Sequence, residues 1–230
     1  LILKKSYINT LLAGDLVSIK SSKKKPQPGD IAIGWGNKNN TTSAKAFAQQ
    51  EKLPYLRLED GFIGYIGHPA RNGHEVSLIC DDEGIYYDAR QSSQLEQLIL
   101  QPSTDENLER TRDVIRQIKK HSITKYNCYE NLDTPPLIDE YFNNIQQPIV
   151  LLIDQVAGDL SLQGAMATEQ DFAYMVEQAR KNHPDARLLI RTHPDTRLGK
   201  KKGVLANLKI PNVDIISSPC HPHILINKAD

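Results

Sequence analysis

Three short apolar runs in this chain are each followed at once by residues able to do chemistry. Glu59-Asp60 follow Leu58, Asp154-Gln155-Val156-Ala157-Gly158-Asp159 follow Ile153, and Thr192-His193-Pro194-Asp195 follow Arg191. If the runs are strands of an open α/β sheet, these residues stand beyond the strands' carboxyl ends, where such folds bind ligands. A carboxylate, an amide and a histidine gathered there suit glycosyl or acyl transfer. The carboxylate attacks or stabilises an oxocarbenium-like centre, and a protonated histidine donates to a departing phosphate. Asp159, His193 and Glu59 are the catalytic candidates. Gln155, Arg191, Asp60 and Lys200 are the substrate-binding ones, the last as part of the basic group Lys200-Lys201-Lys202 that can hold an anionic donor.

Plainer roles compete with these. An Asp after a strand is often a helix or turn cap, and Glu59-Asp60-Gly61 reads equally well as a tight turn. His-Pro is uninformative by itself, because four of the seven histidines precede proline; only His193 follows so closely on a buried strand. Cys220-His221-Pro222-His223 offers at most three close ligands and no second group at zinc spacing, so no metal is expected. Gly34-Trp35-Gly36 lacks the third glycine and acidic partner of a dinucleotide fingerprint, and there is no serine elbow or Walker motif.

The elements that must position these residues are legible as α/β. A strand over 30–35 runs into the Gly34-Trp35-Gly36 turn, a helix spans 43–52, and strands follow over 53–58 and 76–80. Helices are expected over 92–100 and from a Thr104 cap onward, with Leu108, Ile115 and Ile118 on the apolar side. From about 125 to 148, asparagine and proline replace any periodic pattern, which reads as an interdomain connection. Ile149-Val150-Leu151-Leu152-Ile153 is then apolar throughout, as in a strand buried on both faces. A helix capped by Thr168, a strand over 187–191 and another over 213–216 complete parallel βαβ units. The expected division is a first Rossmann-like domain over 1–126, a linker over 127–147, and the start of a second, incomplete domain over 148–230. That last stretch is shorter than the roughly 100–150 residues such a domain usually takes. A cleft between the domains is expected to bring Glu59 opposite the other two strand ends.

Composition excludes some classes and leaves others. The 230 residues are 39% hydrophobic and 24% charged, with 28 basic and 28 acidic residues, so overall charge argues for neither nucleic acid nor an anionic surface. No apolar run approaches the roughly 20 residues that span a bilayer, and no signal peptide is visible. Three widely spaced cysteines fit a reducing, cytoplasmic compartment.

Taken in order, Gly34-Trp35-Gly36, the segment from Leu56 to Phe62, the segment from Leu78 to Asp88, Thr124-Lys125-Tyr126-Asn127, Asp154 to Asp159 and Arg191 to Asp195 resemble the KpsC/LipA family of capsule polysaccharide proteins. The resemblance implies a GT-B-like pair of Rossmann domains and a retaining β-Kdo transferase that takes CMP-Kdo as donor and a lipid-linked Kdo saccharide as acceptor. It implies Asp159 as the nucleophile that forms a covalent Kdo adduct and His193 as the group assisting the departing CMP phosphate. Gln155 then positions the sugar, and Glu59 faces the acceptor or the leaving group. No cofactor is implied. The expected partners are the two substrates and other capsule assembly proteins, with a cytoplasmic location that is at most peripheral on the inner membrane.

Two departures stand out. The family usually has Lys where Arg191 stands, which keeps the charge but not the geometry. Its later Ser-rich and Gly-Phe-Glu-Ala segment, which helps bind the nucleotide, is not in this sequence, so weak or absent CMP binding is expected. The alternative from another class is a non-catalytic capsule assembly or export subunit, and a third reading is a phosphosugar epimerase or other GT-B relative.

Overall fold

In a computed structural model, the described residues are 5–20, 25–68, 72–129, 135–143, 146–206, 208 and 210–230. The chain divides between Cys128 and Tyr129 into two units.

The first unit holds α1 (Lys5–Leu12), β1 (Ala32–Trp35), α2 (Asn39–Glu51), β2 (Tyr55–Asp60), β3 (Tyr65–Ile66), β4 (His74–Glu75), β5 (Leu78–Asp81), α3 (Gln94–Leu100) and α4 (Asp105–Lys120). Its main sheet has the order β1-β2-β5. β1 and β2 are parallel, in register from Ala32 against Tyr55 to Trp35 against Leu58. They are joined through α2, the βαβ crossover that parallel pairing needs. β5 runs antiparallel to β2. The chain from Asp60 to Leu78 makes the small β3–β4 ribbon and, among the described residues, no helix, so it returns without such a crossover. The core joins Ile8, Trp35 and Leu58. Thr104 caps α4 as expected, accepting from Asn107 N at 3.2 Å. The apolar side of α4 is nonetheless open, with Leu108 40% and Ile115 46% exposed.

The second unit holds α5 (Pro136–Asp139), β6 (Ile149–Ile153), α6 (Leu160–Gly164), α7 (Glu169–Asn182), β7 (Arg187–Arg191), α8 (Pro194–Arg197), β8 (Val213–Ile216) and α9 (Pro222–Lys228). Its strands are all parallel in the order β6-β7-β8. Alternation along β7 explains the unbroken apolar run. Leu189 enters one core with Ile138, Ile149, Ile216 and Leu225, while Leu188 and Ile190 enter another with Leu152, Val176 and Leu205. All three β7 leucines and isoleucines are fully buried, and truncating one to Ala would cost about 2–5 kcal/mol. Part of the stretch read as a linker belongs to this unit: Ile138 of α5 is fully buried in its core, and Tyr141 and Phe142 pack against it. A few apolar residues among prolines and asparagines sufficed to anchor it, and periodicity cannot register so short a helix. Residues 130–134 and 144–145 of that stretch lie outside the described residues.

The register levels the strand ends. Ile153 pairs with Arg191, and Arg191 with Ile216. Whatever follows β6, β7 and β8 therefore emerges at one sheet edge.

Candidate active site

In the second unit, the loop after β6 is built around Asp154, a carboxylate only 2% exposed. Its Oδ1 accepts from Gln155 N at 2.8 Å and Leu205 N at 2.7 Å, and its Oδ2 from Ala206 N at 3.0 Å. Three backbone N–H groups thus hold one buried carboxyl group, which ties the β6 end to the segment that carries the lysines. The same two segments pair along their backbones. Ala157 N donates to Lys202 O and Val204 N to Gln155 O, each at 2.8 Å, with Val156 and Gly203 forming an antiparallel bridge.

Gly158 turns the loop at a φ of +71°, with open space where a side chain would stand. Its freedom of backbone, not of volume, is what the turn uses. Asp159 comes next and caps α6. Its Oδ1 accepts from Ser161 N at 2.9 Å and Ser161 Oγ at 2.8 Å. Among the described residues, its Oδ2 accepts no hydrogen bond. Burial pulls the Asp159 carboxyl upward, but the two Ser161 donors and the charges of Lys201 and His193 outweigh it and hold it below the usual aspartate value. The side chain is thus ionised and held by one oxygen.

His193 follows β7 and Thr192, and caps α8. Its Nδ1 accepts from Asp195 N at 3.1 Å. An accepting Nδ1 places the proton of the neutral ring on Nε2, so Nε2 is the ring's donor side. The sheet edge therefore brings Asp159 and His193 within electrostatic reach of each other. His221, after β8, repeats the device: its Nδ1 accepts from His223 N at 3.2 Å at the start of α9.

The other candidates of this unit make protein contacts or stand exposed. Gln155 Oε1 accepts from Val156 N at 2.8 Å, within its own loop. Arg191 is 8% exposed and donates through Nη2 to Cys220 O at 2.6 Å and Tyr129 Oη at 3.1 Å, which tethers the β8–α9 loop. Lys200 is exposed, and Lys201, its neighbour, is the lysine whose charge acts on Asp159. Among the described residues, no three His, Cys, Asp or Glu side chains gather as a metal site.

In the first unit, the end of β2 sends Glu59 and Asp60 to opposite faces. Glu59 Oε1 accepts from Trp35 Nε1 at 3.0 Å and from Asp60 N at 3.1 Å. Burial raises its carboxyl above the usual glutamate value; the Asp60 N–H and the charges of Lys38 and Lys125 only partly offset that and the repulsion of Asp60. Asp60 instead engages the Tyr65 hydroxyl, and burial together with that bond pushes the Tyr65 phenol upward. Tyr7 on the same side is pushed up to about 12, first by burial and then by Asp60.

Sequence reasoning passed over Ser161, noted Trp35 only within a motif, and gave Asp154 and Lys201 no role of their own beyond their segments. Asp-x-Ser before a helix is a capping signal that reveals Ser161. Trp35 lay inside a noted Gly-Trp-Gly segment, but its bond to Glu59 depends on the β1–β2 register, which no local pattern records.

Two α/β units with parallel strand pairs give a GT-B-like fold class, in line with the structural match given below. Residues 30–230 match the family model described as capsule polysaccharide biosynthesis protein, and the chain belongs to this family. It is 34% identical over 206 residues to the capsule polysaccharide modification protein LipA of Neisseria meningitidis serogroup A, covering 87% of this chain and 29% of LipA. It is 29% identical over 189 residues to the lipopolysaccharide-processing protein LpsZ of Rhizobium meliloti, covering 81% of this chain and 42% of LpsZ. The chain thus spans less than half the length of these relatives. Among solved structures, it matches Thermosulfurimonas dismutans KpsC, a beta Kdo 2,4 transferase, at a TM-score of 0.84 and 33% identity, over 100% of this chain and 70% of that one. The beta Kdo 2,7 transferase KpsC of the same organism, at a TM-score of 0.61 and 23% identity over 100% of this chain and 68% of that one, shares the fold. No helix among the described residues is long and apolar enough to cross a membrane.

Proposed function

We propose that this chain carries the nucleophile-bearing part of a retaining β-Kdo transferase of capsule polysaccharide biosynthesis. The observation that carries the reading is Asp159: an ionised carboxylate, held through Oδ1 by Ser161, at the same strand-end edge as His193. The KpsC likeness supports Kdo as the sugar. In the first step, Asp159 Oδ2 bonds to the anomeric carbon as that carbon's bond to the CMP phosphate oxygen breaks. The electron pair leaves with CMP, and His193 Nε2–H donates to the departing phosphate. In the second, an acceptor hydroxyl oxygen attacks the same carbon, the bond to Asp159 breaks, and the hydroxyl proton passes to Glu59. Two inversions give retention.

The donor is CMP-Kdo and the acceptor a lipid-linked Kdo saccharide, met at the cytoplasmic side by a protein peripheral to the inner membrane. Other capsule assembly proteins are its partners, and the reaction is assigned no cofactor. Gln155 and Lys200 serve the substrate. Arg191 and Asp60 act through the contacts described above. The test is transfer from CMP-Kdo to a synthetic Kdo-lipid acceptor by the full-length protein, with mass spectrometry for a Kdo ester on Asp159. Transfer lost in Asp159→Ala and an adduct on Asp159 support the reading. Normal turnover in that variant refutes it, and no transfer by the wild type favours a non-catalytic assembly subunit.

A further inference from the structure

Glu59 sits in a setting that treats its two oxygens differently. Oε1 takes two N–H donors, the Trp35 indole at 3.0 Å and the Asp60 amide at 3.1 Å. Oε2, among the described residues, takes none. Oε2 lies instead 2.7 Å from where a β-carbon on Gly36 would stand, and the Tyr87 hydroxyl lies 2.3 Å from that same point. Gly36 has a φ of +49°, and its N–H donates to Leu58 O at 2.8 Å, the residue before Glu59. Tyr87 is itself fixed, since its hydroxyl accepts from Asn37 N at 2.9 Å. The residue after β1 therefore keeps clear the space beside one carboxylate oxygen while the residue before it binds the other.

We infer that Trp35 and Gly36 are positioning residues for Glu59, with the Trp35 indole N–H tying down Oε1 so that Oε2, in the gap left by Gly36 beside Tyr87, is the oxygen that exchanges a proton. This rests on the reading of Glu59 as the group that receives the acceptor's proton. When the acceptor oxygen bonds to the anomeric carbon and the carbon–Asp159 bond breaks, its O–H bond gives the proton to Oε2. Trp35 also suits the task by its surroundings. Its ring is anchored in the core with Ile8 and Leu58 and is 6% exposed, so the indole N–H is held in place rather than merely near. The charged groups acting on Glu59 are Asp60 on its own strand, Lys38 after β1 and Lys125 after α4. Among the described residues, none of these charged side chains makes a directional bond to Glu59; the donors to Oε1 are the Trp35 indole and the Asp60 backbone amide.

The chain contains a single tryptophan, so its indole N–H gives one resonance in a ¹H–¹⁵N spectrum. That resonance should move with pH as Glu59 ionises, at a midpoint above that of an ordinary glutamate, and Glu59→Gln should abolish the movement. Removing a donor to the ionised form favours the protonated one, so Trp35→Phe should raise the Glu59 midpoint, followed by ¹³C-carboxyl NMR, by about one pH unit. An indole signal whose titration survives Glu59→Gln, or a Glu59 midpoint unmoved in folded Trp35→Phe, overturns the inference. Should Trp35→Phe not fold, the native indole with Glu59→Gln decides alone. In the full-length protein, the acid limb of the kcat/KM profile should rise with the NMR midpoint in Trp35→Phe. A coupled pair in the spectra with an unmoved limb instead removes Glu59's part in the reaction, and leaves Asp159 to its own adduct test.

Discussion

Asp159 in the second unit and Glu59 in the first are both carboxylates at the ends of parallel strands, each with one oxygen bound by two donors and the other accepting nothing among the described residues. Their proton affinities nonetheless move in opposite directions. For both, burial raises the pKa, but Asp159 is answered by a backbone N–H, a hydroxyl and two nearby cations, and ends below its usual value. Glu59 faces Asp60 as well as two lysines and ends above it. One carboxyl group is held toward its ionised form and the other toward its protonated form, as the proposed nucleophile and base require. Environments that push the proton affinities of two carboxyl groups apart in this way suit different proton-transfer roles.

The largest expected effect tests that division directly. In the full-length protein, Asp159→Ala should lower kcat/KM by on the order of 10³-fold or more, because no covalent intermediate forms. Glu59→Gln should cost about 10²-fold, as for a lost general base. Steady-state transfer kinetics check both, and equal losses would mean the two carboxylates do not divide the work as proposed. A second contrast concerns stability. Asp154→Ala leaves three backbone N–H groups facing a cavity, so thermal or urea unfolding should show a loss of about 2–4 kcal/mol. Glu59→Gln keeps the shape of its side chain and should stay within about 1 kcal/mol of the wild type.

The second unit was the more legible of the two, and the reason is physical. Its strands are buried on both faces, so β6 and β7 stand out as unbroken apolar runs, and parallel pairing puts Asp159 and His193 at one edge wherever those strands lie side by side. In the first unit, β5 pairs antiparallel, and nothing in Val76-Ser77-Leu78-Ile79-Cys80 distinguishes that direction from its opposite. Which residues merely hold the site was hidden for a different reason. Arg191 reads as a substrate cation until its guanidinium is seen on Cys220 O and Tyr129 Oη, partners distant in sequence. Asp154 reads as a turn until Leu205 and Ala206 are found on its oxygens.

The opposed shifts also predict opposite pH responses of stability. Asp159 has a lowered folded value, so its cap stabilises the fold above the unfolded aspartate range and is lost as pH falls through the lowered value. Asp159→Asn should therefore destabilise by about 0.5–1 kcal/mol at neutral pH and by less in acid. Glu59 has a raised folded value, so its protonated form favours folding, and stability drains away as pH rises from the ordinary glutamate value through the raised one. Glu59→Gln should thus raise Tm relative to the wild type at neutral pH and lose that advantage below the ordinary glutamate value. Calorimetric scans across pH check both, and responses of the same sign would dissolve the contrast.

A last contrast separates the two glycines beside these carboxylates. Gly158→Ala meets no neighbour, so it pays only for a positive φ, about 1 kcal/mol in unfolding. Gly36→Ala meets the same backbone restriction, but its β-carbon also falls on Glu59 Oε2 and the Tyr87 hydroxyl. It should lose more stability than Gly158→Ala and should displace the Glu59 titration, whereas Gly158→Ala should leave that titration where it is. Urea unfolding gives the first comparison and carboxyl NMR the second. If Gly36→Ala proved as mild as Gly158→Ala in both, the space beside Oε2 would be an accident of the turn rather than room for a proton's path.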